Sequence, residues 1–364
     1  MEASRTAVKG TQGVPRVLFE LRRRRSIVLL VLGACLLLVF VLGVALGPVY
    51  VPVSSSVKII LSRIPLLGRL VTGGWTHAQE AIIVSVRLPR VLLALLVGMG
   101  LALAGVLFQA LFRNPMADPS IIGSSQGAAL GATIAFFIGI QARWRGLSLV
   151  PLFAFAGAML AVFVVYTIAR RGGRVSVPSL LLVGIAMSSF LAAIVTTLMV
   201  ISEDRMHSIF FWLMGGIGAA SWMQVVAIVP LILIGAVISI LLSRDLNVMS
   251  LGDERAGQLG LEVERFKWAM IATASLVVGA AVSVSGLIGF VGLITPHIVR
   301  QLTGPDHRYL IPGSLLGGGL FLVLADLLAR TVISPSELPV GVVTAFFGAP
   351  FFIYLLKRRG RGID

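Results

Sequence analysis

RLPRVLLALLVGMGLALAGVLFQALFRNPMADPSIIGSSQGAALGA, residues 87–132, decides the fold class. From Val91 to Phe112 it carries no charged residue. About 20 mostly apolar residues are what a helix needs to cross the hydrocarbon core of a bilayer. The run stops at Arg113 and an Asn114–Pro115–Met116 turn, and a second apolar run follows at once. Neither run alternates with a period of two, so lipid-facing β-strands are excluded.

Working outward, similar runs recur at roughly 27–47, 91–112, 120–140, 148–169, 179–201, 222–243, 267–285, 287–302, 310–330 and 339–356. The expected fold is therefore all-α, a polytopic membrane protein with about ten transmembrane helices. Residues 206–218 are apolar but too short to span, and read as a periplasmic or re-entrant piece. The composition agrees. Of 364 residues 57% are hydrophobic and 12% charged, with a mean hydropathy of +1.01. A water-facing surface would need about twice that charge. A soluble enzyme, a disordered chain and a nucleic-acid-binding domain are all excluded, although the net charge of +15 would suggest a polyanion partner in a soluble protein. No nucleic-acid partner is expected.

The 30 Lys and Arg residues explain that charge by topology. With ten spans and a cytoplasmic N-terminus, 21 of them fall on the cytoplasmic side and nine outside. Lys and Arg crowd the cytoplasmic loops of membrane proteins. Both termini are expected inside, in a bacterial or archaeal cytoplasmic membrane. The organisation is a cytoplasmic tail (1–26), a transmembrane domain (27–357) with a long cytoplasmic loop at 244–266, and a short cytoplasmic tail (358–364). The first run is too long for a signal-peptide core and reads as an uncleaved helix.

Few polar residues interrupt the apolar runs. Asp326 lies inside the ninth, with Arg330 four residues on and on the same helical face. An ionisable residue at that depth is a functional candidate by default, and the spacing equally suits a structural ion pair. A carrier driven by an ion gradient, with Asp326 as its coupling site, is the competing class of function. The scarcity of other buried acids weighs against it. No G-x-x-x-x-G-K-[ST] or G-x-G-x-x-G motif occurs, so no ATP site is expected on this chain. His77, His207, His297 and His307 lie apart from acids and from Cys35, the single cysteine, so no metal ligand set is expected. Glycines at four-residue spacing, Gly123–Gly127–Gly131 and Gly313–Gly317, suit close helix packing. The loop RDLNVMSLGDERAGQLGLEVERF (244–266) interleaves apolar and charged residues, with Gly252 and Gly260 at turn-like positions. It reads as two short amphipathic helices offering a docking surface to a soluble partner.

Residues 87–132, together with LGDERAGQLGL (251–261), SGLIGFVGLITPHIVRQLTGPDHRYLIPGSLLGGGLFLVLADLLAR (285–330) and ELPVGVVTAFFGAPFFIYLL (337–356), resemble the permease subunits of ABC importers for iron–siderophore complexes, haem and cobalamin. The resemblance covers roughly residues 85–357, in order and at matching separations. It implies the type II importer permease fold and a homodimer. Two separate ATPase subunits, which hold ATP and magnesium, would dock inside, and a periplasmic or lipid-anchored substrate-binding protein outside. This chain would itself carry no cofactor and no catalytic residue.

Carried over by position, Arg87 and Arg90 of RLPR and Arg330 of ADLLAR would receive acidic residues of the binding protein. Arg–carboxylate pairs suit such docking, and all three run against the cytoplasmic charge bias. Leu251, Gly252, Asp253, Glu254, Ala256, Leu259 and Gly260 would form the coupling helices that seat in the ATPase. Arg255 and Gly257 depart from the usual residues there. Asn114 with Met116, and Ser176 with Val177, would form the two cytoplasmic gates. The implied cargo is an iron chelate, with cobalamin as the alternative.

Overall fold

The computed structural model describes residues 13–63, 68, 73–139, 143–144 and 147–360. Residues 1–12 and 361–364, parts of the two expected tails, lie outside the described residues. The chain is almost entirely helical. It begins with α1 (Gly13–Ala45), α2 (Val53–Ser62) and α3 (His77–Ala81), the last running through a π-helical stretch, Ile82–Arg87, into α4 (Leu88–Leu111). A 3₁₀ turn, Pro119–Ile122, leads to α5 (Ser124–Phe137), then α6 (Leu149–Ala169), α7 (Val177–Ile201), α8 (Glu203–Leu213) and α9 (Trp222–Leu241). The two short helices α10 (Ser243–Met249) and α11 (Asp253–Gln258) follow. The last four are α12 (Val263–Ser285), α13 (Val291–Thr303), α14 (His307–Thr331) and α15 (Val340–Gly360). Two-residue hairpins, Arg143–Trp144 with Leu147–Ser148 and Arg170–Arg171 with Arg174–Val175, join neighbouring helices.

Local sequence sets the helix ends. Ser148, Ser176 and Asp306 accept backbone N–H groups at the starts of α6, α7 and α14, and Ser221 with Gln224 closes a capping box on α9. Gly286 and Gly304 end α12 and α13 with φ of 68° and 84°, a conformation that costs glycine nothing.

Seven helical segments among the described residues are long and apolar enough to span a membrane: Glu20–Ala45, His77–Leu111, Leu149–Ala169, Val177–Ile201, Trp222–Leu241, Val263–Ser285 and His307–Thr331. The other three expected spans differ from the expectation. The run 120–140 is helical only as α5, of 14 residues, and 287–302 only as α13, of 13. At 1.5 Å per residue these reach roughly 20 Å, about two-thirds of a hydrocarbon core. The third, α15, is apolar over Val340–Leu355. The stretch 206–218 forms most of α8 and the turn after it.

The axis of the bundle is α4. It packs against α14, α12, α13 and α9, and 78% of its most apolar window is buried, against 22% for α1 and for α7. The close approach is made by glycine. A Cβ on Gly98 would lie 2.2 Å from the Gly318 carbonyl oxygen, and one on Gly318 would lie 2.3 Å from that of Gly98. Gly127 and Gly157 bring α5 onto α6 in the same manner. Of the four-residue series, Gly127 and Gly131 face α6, Gly313 and Gly317 face Val299 and Thr295 of α13, and Gly123 supplies the left-handed residue before α5.

The two short helices explain themselves by where they start. Gly292, at the head of α13, abuts the Leu101 carbonyl midway along α4 and the ring of Pro119. Both α5 and α13 therefore begin near the middle of the bundle, and run to opposite ends. Irregular backbone of this type is tolerated at membrane depth where protein covers it or where it lines a cavity. Here a cavity of about 250 Å³ lies at the junction, lined by Leu101, Asp118, Ser120, Gln126, Gly289 and Phe290 among others.

Candidate functional site

Two polar assemblies occupy opposite ends of the bundle. At the end where α1 and α14 finish, the expected docking arginines are not free surface groups. Arg87, Arg90 and Arg330 are 3%, 7% and 2% exposed. The C-terminus of α1 explains where two of them point. Its last carbonyls have no intrahelical donors and carry the negative end of the helix dipole. Arg87 donates to Val44 O at 3.2 Å, and to Ala45 O and Val49 O, while Arg330 donates to Gly43 O. The π-helical turn that ends at Arg87 widens the backbone just before these contacts.

Arg90 and Arg330 share Asp326, which is fully buried. Arg90 Nε donates to Asp326 Oδ1 at 2.8 Å, and Arg330 Nε lies 3.4 Å from Oδ2, an ionic contact outside hydrogen-bond geometry. Arg90 Nη1 also donates to both carboxylate oxygens of Glu337, each at 2.9 Å. Glu337 sits in the segment before α15 and keeps 38% of its side chain exposed. Three guanidinium groups thus meet two carboxylates, leaving one net positive charge. A cavity of about 230 Å³ opens beside them, walled by Pro48, Val49, Ile82, Val86, Arg87, Arg90, Arg330 and Glu337. Chemically this is a basic cleft sized for a carboxylate side chain, with one weakly buried carboxylate already inside it. The same contacts show that Asp326 is committed to two arginines.

At the opposite end, where α14 begins, lies the segment expected to couple to a partner. It forms two helices, α10 and α11, as its residue pattern suggests. Leu246 and Met249 of α10 are wholly buried, as is Ala256 of α11. Leu251 and Leu259 are 52% and 65% exposed, the apolar groups this surface leaves uncovered. Gly252 and Gly260 adopt φ of 110° and 88° and turn the chain on either side of α11. The mount of α10 is polar. Asn247 Nδ2 donates to Asp306 Oδ1 at 2.9 Å, and its Oδ1 accepts the His307 N–H at 2.9 Å. Arg308, which donates to Asp306 at 2.7 Å, and then Asn247, hold that carboxyl well below the usual carboxylate range.

The two expected gate turns lie close by in the fold. Asn114 is exposed, and its Oδ1 accepts the Met116 N–H at 3.0 Å. Ser176 is exposed, caps α7 and donates to Ser179 Oγ at 2.7 Å. Val177 is half-buried. The sequence reading missed three residues that knit these parts together. In the sequence Glu337 reads as part of a motif, Arg113 as the end of an apolar run and Lys267 as one of the basic residues on the cytoplasmic side. Each is a charge at the rim of an apolar run with an oppositely charged residue within reach in the fold, a signal that only three-dimensional proximity reveals.

A helical bundle with, among the described residues, seven helices long and apolar enough to cross a membrane, and with two short helices that begin at its centre, has the architecture of a polytopic membrane protein. The model of the FecCD transport family matches residues 35–358, and the chain belongs to that family. It is therefore an ABC importer permease. The chain is 42% identical over 334 residues (86% of this chain, 87% of the relative) to the cobalamin import system permease BtuC of Halobacterium salinarum. It is 40% identical to the hemin transport system permease HmuU of Yersinia pestis (76% and 83% covered). It is 36% identical to the Fe(3+)-citrate import system permease YfmE of Bacillus subtilis (93% and 97% covered). Among solved structures, an inward-facing conformation of a putative metal-chelate type ABC transporter superposes with a TM-score of 0.78 at 32% identity, covering 91% of this chain and 98% of that one.

Proposed function

We propose that this chain, as a homodimer in a prokaryotic cytoplasmic membrane, imports an iron chelate, a siderophore complex or haem, by alternating access. Two separate ATPase subunits supply the energy, and a substrate-binding protein outside delivers the cargo. The observation that carries this reading is the separation of the two assemblies. A cleft with three arginines lies at one end, and exposed Leu251 and Leu259, in the turns that flank the short helix α11, lie at the other. The first suits acidic side chains of a partner and the second an apolar groove on another. Partners at opposite ends are what transport across the bundle requires. The relatives named for cobalamin, hemin and ferric citrate share one cargo chemistry, a metal held by an organic chelator.

The test is uptake into proteoliposomes containing the permease, its ATPase and its binding protein, with haemin, a ferric siderophore and cyanocobalamin in competition. ATP-dependent uptake of an iron chelate is expected. Uptake of cyanocobalamin alone would transfer the cargo assignment to cobalamin. Uptake driven by a proton gradient without ATP would refute the whole reading.

A further inference from the structure

Asp253, the first residue of α11, is the meeting point of two cations from different parts of the chain. Its Oδ1 accepts from Arg113 Nη2, and its Oδ2 accepts from Lys267 Nζ at 2.5 Å. Each cation leads into one of the two gate turns. Arg113 immediately precedes Asn114, and its backbone is held at φ 49°, a left-handed conformation unusual outside glycine. Lys267, on α12, also donates to the Val175 carbonyl at 3.2 Å and to Glu264 Oε1 at 3.2 Å. Glu264 Oε2 in turn accepts the Val175 N–H at 2.8 Å. Val175, the residue before Ser176, therefore has both backbone polar groups tied to α12 side chains.

Burial makes this arrangement sensitive to movement. The Lys267 side chain is 4% exposed, whereas those of Asp253 and Glu264 are 41% and 35% exposed. A buried ammonium tolerates the loss of a paired carboxylate poorly. If α11 shifts, Lys267 either follows Asp253 and pulls on Val175, or stays and loses half of its counter-charge. Arg113 faces the same choice less steeply, because its side chain is 42% exposed.

We propose that Arg113, Asp253 and Lys267 form a mechanical relay through which one displacement of the coupling helix α11 moves both gate turns, 114–116 through Arg113 and 176–177 through Lys267. Arg113 and Lys267 are positioning residues in it. The proposal rests on the importer reading given above and adds to it the path by which ATPase motion reaches the two turns. A static brace would use the same contacts, so the two turns have to be read separately.

The experiment uses the full permease–ATPase complex in nanodiscs, with Cys35 replaced by Ala and a bimane label at Met116→Cys or, in a second preparation, at Val177→Cys. The probe is ATP with vanadate. In the parent protein both labels should shift on trapping. Lys267→Met should abolish the shift at 177 and leave that at 116. Arg113→Gln, at a half-exposed position where folding is not at stake, should do the reverse. Lys267→Arg should restore the shift at 177. ATP hydrolysis should stay within about twofold throughout, while chelate uptake per ATP falls. Shifts unaffected by both variants would overturn the relay. So would simultaneous loss of both shifts in either variant, which is the behaviour of a brace, or labels that never respond in the parent protein. These outcomes are separable from failure of the importer reading, which would show as no ATP-dependent uptake by the unsubstituted complex.

Discussion

Asp326 is the group whose removal the structure expects to cost most. It is fully buried and contacts both Arg90, at 2.8 Å, and Arg330, at 3.4 Å. Replacing it by Asn keeps an acceptor oxygen but removes the negative charge, leaving the three guanidinium groups with Glu337 as their carboxylate. Stripping one member from a buried pair costs about 3–5 kcal/mol, because the remaining charge stays buried without compensation. The converse change is milder. Arg330→Met leaves Asp326 with its well-aligned bond from Arg90 and orphans one carbonyl at the end of α1. A lost hydrogen bond of that type costs about 1–2 kcal/mol. The comparison is thus an ordered pair: Asp326→Asn should destabilise by roughly two to three times as much as Arg330→Met. Thermal denaturation of the detergent-solubilised protein, followed by loss of the monodisperse peak in size exclusion after heating, reads the order directly. Equal losses, or a larger loss for Arg330→Met, would refute the assignment of Asp326 as the shared counter-charge.

Three further outcomes follow from other parts of the molecule. Gly318→Val should drive α4 and α14 apart, since even a Cβ there would lie 2.3 Å from the Gly98 carbonyl; overpacking costs about 1–3 kcal/mol or more, seen as a reduced folded yield on size exclusion. Leu251→Asp with Leu259→Asp should leave that yield unchanged, because both side chains are largely exposed, yet weaken retention of the ATPase at least tenfold in a pull-down. Asp306 titrates below the ordinary carboxylate range when folded, so its contribution to stability is complete above about pH 5 and fades as the pH falls through about 4, where the unfolded chain takes up the proton. The difference in melting temperature between the unsubstituted protein and Asp306→Asn should accordingly narrow between pH 5 and pH 3.

Much of the architecture was legible from apolar run length alone, because a bilayer imposes its thickness on any helix that crosses it. The runs around α4, α6, α7, α9, α12 and α14 coincide with structural helices to within a few residues. Run length failed at α5 and α13. Residues 120–123 and 287–290 lie inside the expected apolar runs, but leave the α-helix because Gly123, Gly286 and the left-handed Phe290 interrupt it and neighbouring helices shelter the exposed backbone. Hydropathy records depth and is blind to that shelter. The candidate site divides in a similar way. The pairing of Asp326 with Arg330 was readable as an i,i+4 spacing. The bond from Arg90 spans 236 residues of sequence and the one from Arg113 to Asp253 spans 140, so no local pattern could announce either. The inward turn of the three arginines was hidden for the same reason, since the α1 carbonyls that attract two of them belong to a helix about forty residues or more away.

The backbone-to-backbone seam between Gly98 and Gly318 also bears on how such a molecule can diversify. Where the two helices meet through glycine there is no room for a larger side chain, so α4 and α14 are held at one close spacing. Any larger residue at the seam is a defect before it is a new contact. Selection for a different cargo consequently has little to work with along this axis. The room for change lies on weakly buried helices such as α6, α7 and α9, where a substitution alters what the helix touches without opening the spine. A permease built around a closely packed spine can keep its coupling machinery intact while its specificity drifts at the rim.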